Sequence, residues 1–289
     1  MLPSRFEYHR ASSLEDALST LDQYGDDAKV LAGGQSLIPL MKLRFASPGV
    51  LVDINDVPGL DGIEERDGVL AIGGLVRHRT LVTDDVIAAR YPTIAAAAPQ
   101  IADPLVRNRG TIGGSLTHAD PAGDLGSVML AMGASVVLRS SGGERVVPVD
   151  EFLVDAFTTA IEPTEILTEV RVPTPSPRSG GTYLKLERKV GDFATVAVAV
   201  ALSLENGSVG RAGIALTGVG LKNIDATDAT AALAGAEPTD DAFAEAGRLA
   251  AAAANPVADV RGSEEYKRHV VDVFTRRGLA AAFAGANTG

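Results

Sequence analysis

The stretch Val30-Leu31-Ala32-Gly33-Gly34-Gln35-Ser36-Leu37-Ile38-Pro39-Leu40 decides how the rest of the chain is read. An apolar run leads into two adjacent glycines, a hydroxyl residue follows, and a second apolar segment carries Pro39 near its start. This is the grammar of a strand end, a tight turn and a helix start. Glycine adopts positive φ at little steric cost, so Gly33-Gly34 can turn successive backbone N–H groups to one side. Ser36 is placed as a helix N-cap, and Pro39 is tolerated in a first turn because its missing N–H removes no helical bond. The product is a concave nest of donors at a helix N-terminus, suited to a phosphate.

The construction recurs as Arg109-Gly110-Thr111-Ile112-Gly113-Gly114-Ser115-Leu116. A pyrophosphate has two anionic groups, and two such nests can grip it from both sides. One Gly-Gly turn carries little alone; two of like grammar, each joined to a hydroxyl residue, are more specific. The chain has no G-x-G-x-x-G and no Gly-Lys pair, so a Rossmann fingerprint and a P-loop are both unsupported. A third pair, Gly73-Gly74, is followed by Leu75-Val76-Arg77 and reads as a plain turn.

At 289 residues, 46% hydrophobic and 22% charged, the chain is long enough for two or three small domains with real cores. Its formal net charge of −11 argues against nucleic acid and anionic membrane surfaces. The longest apolar runs, around 196–204 and 249–254, are too short to span a bilayer, and no basic, Ser-rich or apolar leader opens the sequence. A cytoplasmic protein without a transmembrane segment is the expectation. Cysteine is absent, which excludes a disulfide, a catalytic thiol and a cysteine-ligated iron–sulfur cluster within this sequence. His9, His78, His118 and His269 lie far apart without metal-ligand spacing, so each reads as surface or structural and no metal site is expected.

In chain order, residues 1–57 read as a small α/β unit. It has a helix over 13–24 capped by Ser13 and stopped by Gly25, a strand over 29–32 and a strand over 50–53. Residues 58–177 read as short strands followed by helices: strand 69–72, helices 80–89 and 92–101, a polar loop over 101–110, and a helix over 125–132. A hairpin pairs 135–138 with 145–148 around the Ser140 to Gly143 turn, and a strand covers 165–172. Asp124 stands where the N-cap of the 125–132 helix belongs. Pro173-Thr174-Pro175-Ser176-Pro177 is the clearest linker. Beyond it come strands 183–189, 194–204 and 209–216, with Asn206-Gly207 as a hairpin turn, then helices 225–233, 240–254 and 263–283.

Ala32-Gly33-Gly34-Gln35-Ser36 and Thr111-Ile112-Gly113-Gly114 resemble the two FAD-pyrophosphate motifs of the flavoprotein (medium) subunits of molybdenum hydroxylases, the xanthine dehydrogenase family. The resemblance extends to Phe6-Glu7-Tyr8-His9, Ile101-Ala102-Asp103-Pro104, Ala160-Ile161-Glu162-Pro163 and Lys185-Leu186-Glu187-Arg188-Lys189-Val190-Gly191-Asp192, and it leans to aerobic carbon monoxide dehydrogenase. It implies an α+β protein. Residues 1–177 would form a two-subdomain FAD-binding fold of the vanillyl-alcohol-oxidase/PCMH type (subdomains about 1–57 and 58–177), and 178–289 a C-terminal domain of a three-stranded sheet with helices. The cofactor-binding residues it implies are Lys29, Leu31, Ala32, Gly33, Gly34, Gln35, Ser36 and Leu37 on the first side. Ile101, Ala102, Thr111, Ile112, Gly113, Gly114 and Ser115 form the second. Asp124 falls at the adenosine end and Ile166 or Leu167 beside the adenine, with Lys185 also in the site and Phe193 over one face of the isoalloxazine.

The same resemblance implies partners. A large subunit would carry a molybdenum–pterin cofactor and oxidise the substrate, and a small subunit would carry two [2Fe–2S] clusters that relay electrons to the FAD. Such complexes commonly form a dimer of heterotrimers, and any membrane association would come through the complex. The implied chain has no catalytic residue and no metal of its own. Phe193 stands where carbon monoxide dehydrogenases have tyrosine, Gln35 where they often have histidine, and Ser115 where they often have asparagine.

Some readings stay open on the residues alone. Asp124 is either a cap or a cofactor contact; Phe193, Ile166 and Leu167 are either core or cofactor residues. A stand-alone flavin oxidoreductase would need acid–base residues near the flavin, and no convincing cluster of them is found. A non-catalytic nucleotide-binding or assembly protein is the other rival. Carbon monoxide is the substrate favoured by resemblance, with N-heterocycles, aldehydes and purines open, and quinone, NAD or oxygen open as acceptor.

Overall fold

The computed structural model describes residues 2–288. Its first unit comprises β1 (Glu7–Arg10), α1 (Leu14–Tyr24), β2 (Ala28–Leu31), α2 (Leu37–Leu43) and β3 (Val50–Asp53), with a parallel sheet ordered β1-β3-β2. α1 begins where Ser13 Oγ accepts the Asp16 N–H at 3.1 Å, and it stops at Gly25, whose φ is 52°. Its apolar stripe of Ala17, Leu18 and Leu21 packs with Val50 and Val52, and the same core takes in Leu60, Leu75 and Ile166 from further along the chain. The first unit is therefore sealed only by its neighbour.

The second unit runs through β4 (Ile63–Arg66), β5 (Val69–Gly73), α3 (His78–Thr83), α4 (Asp85–Arg90), α5 (Pro92–Ala97), α6 (Pro104–Arg107), α7 (Ile112–His118) and α8 (Asp124–Met132). It continues with β6 (Ser135–Ser140), β7 (Gly143–Pro148), α9 (Val149–Phe152), β8 (Leu153–Asp155), β9 (Thr158–Thr159) and β10 (Ile166–Pro173). Five strands make an antiparallel sheet ordered β4-β5-β10-β6-β7. The helix expected over 80–89 is two helices. Asp84 takes an extended backbone and its carboxylate accepts the Ile87 N–H at 3.0 Å, so a new helix starts there. The loop expected over 101–110 contains α6, capped by Asp103 through the N–H groups of Leu105 and Val106.

The third unit holds β11 (Ser179–Leu186), β12 (Val196–Glu205), β13 (Ser208–Thr217), β14 (Ile224–Asp225), α10 (Thr227–Leu233), α11 (Asp240–Ala253) and α12 (Glu264–Thr288). The expected three-stranded sheet gains β14 as a two-residue edge. Asn206 and Gly207 have φ of 52° and 88°, the paired positive angles of a tight hairpin. β12 is buried on both faces. Ala197 and Ala199 join the core of the second unit, whereas Val196, Val198 and Val200 join a separate core with Phe243, Val271 and Leu279. The small residues follow from proximity: a Cβ on Gly213 of β13 would lie 3.1 Å from Ala131 Cα in α8.

Candidate cofactor site

At the first Gly-Gly turn, Gly34 takes φ 74° while Gly33 does not take positive φ. Ile38 N–H donates to Gly34 O and Leu40 N–H to Ser36 O, each at 3.1 Å, but no protein acceptor among the described residues takes the N–H groups of Gly34, Gln35, Ser36 and Leu37. Ser36 corrects one expectation. Its φ of −104° and ψ of −49° are already helical, so it lies outside capping geometry and its hydroxyl satisfies none of these donors. The row of N–H groups is left free for a ligand.

The second stretch is built differently from the nest its sequence suggests. Thr111 is the cap, its Oγ1 accepting the Gly114 N–H at 3.1 Å, and Gly113-Gly114 lie inside α7. Ile112 N–H donates to Val76 O and Gly113 N–H to Gly74 O, both at 3.0 Å, and Ser115 N–H to Thr111 O at 2.9 Å. Those donors are spent within the protein. What faces outward is the half-buried Ser115 side chain in the first turn. The glycines serve close approach: a Cβ on Gly113 would lie 2.6 Å from Gly74 O and 3.0 Å from Gly74 Cα. Gly74 donates to Thr168 O at 2.8 Å and has no room for a Cβ beside Leu167, so Gly73-Gly74 is a packing joint where a plain turn was expected.

The two stretches touch. A Cβ on Gly33 would lie 2.9 Å from both the Arg109 carbonyl carbon and Gly110 Cα, and closer still to Arg109 O. Two residues that the sequence reading missed join them. Arg77 donates from Nη1 to Arg109 O and from Nη2 to Asn55 Oδ1, each at 2.5 Å, and Asn55 Nδ2 donates to Ala32 O at 2.9 Å. Burial, and then the neighbouring Arg109, lower the Arg77 pKa from its ordinary value. Nothing in the spacing of Asn55 and Arg77 announces this bridge; the one sequence signal is an arginine three residues beyond a third glycine pair.

Asp124 is neither exposed nor a cap. Gly123 holds the N-cap position of α8, and the Asp124 carboxylate is buried at 8% exposure. Tyr183 Oη donates to Asp124 Oδ1 at 2.7 Å, and Lys185 Nζ lies 3.1 Å from the same oxygen and 3.0 Å from Gln100 O. Burial raises the Asp124 pKa, against the opposing pull of Lys185, and burial beside Asp124 raises the Tyr183 phenol well above its ordinary value. The pair ties β11 to the start of α8.

Of the remaining candidates, Ile101 is buried and Ala102 takes φ 43°. Gly191, at φ 82°, packs so tightly that a Cβ would lie 2.7 Å from Ala102 O, which brings the 101–104 and 188–193 segments together. Phe193 is 54% exposed, which overturns its reading as a core aromatic. With Phe157, Ala122, Thr195, Gly218 and Arg261 it lines a cleft of about 380 Å³. Ile166 and Leu167 are buried, the first in the core of the first unit and the second in that of the second. Lys29 is exposed on β2, Gln35 is exposed in the turn, and Leu31, Ala32 and Leu37 are half-buried around it.

Residues 4–175 match the FAD binding domain in molybdopterin dehydrogenase, and residues 181–282 the CO dehydrogenase flavoprotein C-terminal domain. The chain is 41% identical over 284 residues to the carbon monoxide dehydrogenase medium chain of Hydrogenophaga pseudoflava, covering 98% of this chain and 99% of that one. It is 42% identical over 283 residues to the 6-hydroxypseudooxynicotine dehydrogenase complex subunit alpha of Paenarthrobacter nicotinovorans, covering 98% and 96%. The solved carbon monoxide dehydrogenase of H. pseudoflava superposes with a TM-score of 0.95 at 43% identity, covering 99% of each chain. Quinoline 2-oxidoreductase from Pseudomonas putida 86 gives 0.92 at 33% identity, again over 99% of each. The chain therefore belongs to the FAD-binding flavoprotein subunits of the molybdopterin dehydrogenases. It shares its whole architecture with carbon monoxide dehydrogenase medium chains, and it is one subunit of a molybdenum-containing oxidoreductase complex. The site fits FAD: a row of free N–H groups beside the Arg77 guanidinium is what an anionic diphosphate requires.

Proposed function

We propose that this chain is the electron-transfer subunit of an aerobic carbon monoxide dehydrogenase, taking electrons from the [2Fe–2S] clusters of a small subunit and passing them to an external acceptor. The observation that carries the reading is the row of free N–H groups at Gly34 to Leu37, held against the second stretch by Arg77 and Asn55. When bound, FAD supplies a redox group that takes electrons singly and releases them in pairs. The chain's own residues bind and orient it. The N–H groups of Gly34, Gln35, Ser36 and Leu37 donate to the diphosphate, Thr111 and Ser115 bound it from α7, Asp124 and Lys185 close the adenosine end, and Phe193 keeps water from one face of the ring. Because the 289 residues contain no cysteine, the iron–sulfur relay belongs to a partner. A large molybdenum–pterin subunit and a small cluster subunit complete the unit, paired as a dimer of heterotrimers in the cytoplasm. Among the described residues, no helix is long and apolar enough to cross a membrane. The domain division at the proline-rich linker, with the FAD-binding part before 177, is supported by family matches that stop at 175 and resume at 181.

A second reading has its own support: identity to the 6-hydroxypseudooxynicotine dehydrogenase subunit is 42%, beside 41% to the carbon monoxide dehydrogenase medium chain, so an N-heterocycle is the alternative substrate class. The test is to purify the chain alone and with its two partners. The chain alone should hold FAD without oxidising carbon monoxide, and the complex should lose its oxidised-flavin absorbance on addition of carbon monoxide. Bleaching by N-heterocycles but not by carbon monoxide moves the assignment to the second reading. Turnover by the isolated chain refutes both.

A further inference from the structure

Behind Phe193, four charged side chains converge that the diphosphate site does not use. Residues 259–262 form a closed turn, with Asp259 N–H donating to Gly262 O at 3.1 Å and Gly262 N–H to Asp259 O at 3.2 Å. The Asp259 carboxylate accepts the Arg261 N–H at 2.8 Å. Lys267 pins this turn from α12: its Nζ, almost fully buried, donates to Val257 O at 2.8 Å and lies 2.9 Å from Asp259 Oδ1. From that platform the Arg261 side chain reaches back to the 188–193 segment. Nη1 donates to Phe193 O at 2.7 Å, and Nη2 lies 3.2 Å from Asp192 Oδ1. The same Asp192 oxygen accepts the Phe193 N–H at 2.8 Å.

One guanidinium and one carboxylate thus hold both ends of residue 193, its N–H and its C=O. On the far side, Gly191 is jammed against Ala102 O. The Phe193 ring itself is 54% exposed and has no packed shell to fix it. With its backbone held, the ring keeps only its own side-chain rotamers. We propose that Arg261 is a positioning residue that sets the pose of Phe193 against the flavin ring, so that a residue of the C-terminal part governs how one flavin face is covered. The proposal rests on the stacking role given to Phe193 above. Arginine suits the task because its planar fork serves a carbonyl and a carboxylate at once, which a single ammonium does less well.

The experiment compares Arg261→Ala, Arg261→Lys, Phe193→Leu and the double variant Arg261→Ala/Phe193→Leu in the assembled, FAD-loaded complex. All four should retain FAD, since none touches the diphosphate row. Arg261→Ala should reproduce the visible circular dichroism and flavin fluorescence changes of Phe193→Leu and slow delivery of electrons to an artificial acceptor dye roughly tenfold, the scale of one lost charge-assisted hydrogen bond. Arg261→Lys should recover part of both signals, and the double variant should add nothing beyond Phe193→Leu. If Arg261→Ala leaves the flavin spectra unchanged while Phe193→Leu shifts them, the ring is posed without Arg261 and the proposal is wrong. If neither variant moves them, the stacking role itself fails and the proposal falls with it. Additive effects in the double variant would show that Arg261 acts by another route, which also overturns it.

Discussion

Gly33→Ala is the sharpest probe of the cofactor site, because Gly33 is needed for contact and not for backbone conformation. Its φ is not positive, so alanine is permitted there by the backbone. The obstacle is the Arg109-Gly110 peptide, 2.9 Å from the position of the new Cβ at two of its atoms. Carbon atoms rest about 3.5–4.0 Å apart, so the two stretches must separate by on the order of 1 Å. The obstructing atoms are main chain, themselves gripped by Arg77, and cannot swing away. Overpacking of this kind costs about 1–3 kcal/mol of stability. Hydrogen bonds to a charged group are worth about 1.5–3 kcal/mol each, so misplacing one of the N–H groups at 34–37 weakens FAD binding by about ten- to 150-fold, and misplacing two weakens it further. The assay is titration of the apoprotein with FAD by fluorescence quenching, alongside thermal unfolding to show that the fold survives. Gly207→Ala is the control: Gly207 has φ 88° but no atom within 4 Å of its Cβ position, so it should lower stability and leave affinity alone. Wild-type FAD affinity in folded Gly33→Ala would refute the view that the two stretches act as one clamp.

Arg77→Ala should also weaken FAD by about tenfold or more in the same titration, since it removes two hydrogen bonds and a nearby positive charge, while Arg77→Lys restores the charge but only part of the bridge. Asp124→Asn removes the nearer of the two carboxylates beside the buried Lys185 ammonium, leaving Glu187 Oε2 at 3.5 Å, and should cost up to about 3–5 kcal/mol in urea unfolding, with much of the loss recovered when Lys185→Met is added. His78 gives a pH prediction. Burial first, then Arg107 and Arg77, hold its imidazole down at about 4 against an ordinary 6.5, so the folded protein keeps it neutral. Its stabilising contribution is complete above pH 6.5 and is lost as pH falls toward 4, at up to about 1.4 kcal/mol per pH unit. Urea unfolding of wild type and His78→Gln between pH 7.5 and 5 should show this slope in the first and not in the second.

The local grammar of the chain was legible in its sequence. Ser13 and Gly25 bound α1, Asn206-Gly207 makes the β12–β13 hairpin, and β3 falls on Val50 to Asp53 as read. Each rests on a short-range rule of caps, turns or alternation. What escaped depends on residues distant in sequence. Gly33, Gly74 and Gly113 look like turn glycines, yet each is required because another backbone passes within contact of it. The Arg77–Asn55 bridge spans 22 residues and the Tyr183–Asp124 bond 59, separations at which no periodicity speaks. Family resemblance pointed to both stretches without revealing that the row of free N–H groups lies in the first, while α7 spends most of its own.

β12 is a party wall. Its alanines finish the core of the second unit, and its valines finish the core under α11 and α12. During synthesis, a ribosome that has released only the first 177 residues has therefore made an α8 whose sheet-facing side is bare and an Asp124 with neither Tyr183 nor Lys185 to meet it. The nascent amino-terminal part waits, incompletely buried, for the strands still inside the exit tunnel. The core of the second unit thus closes only once β12 has emerged, and a cut at the proline-rich linker of the finished protein should leave two fragments clasped across the same wall.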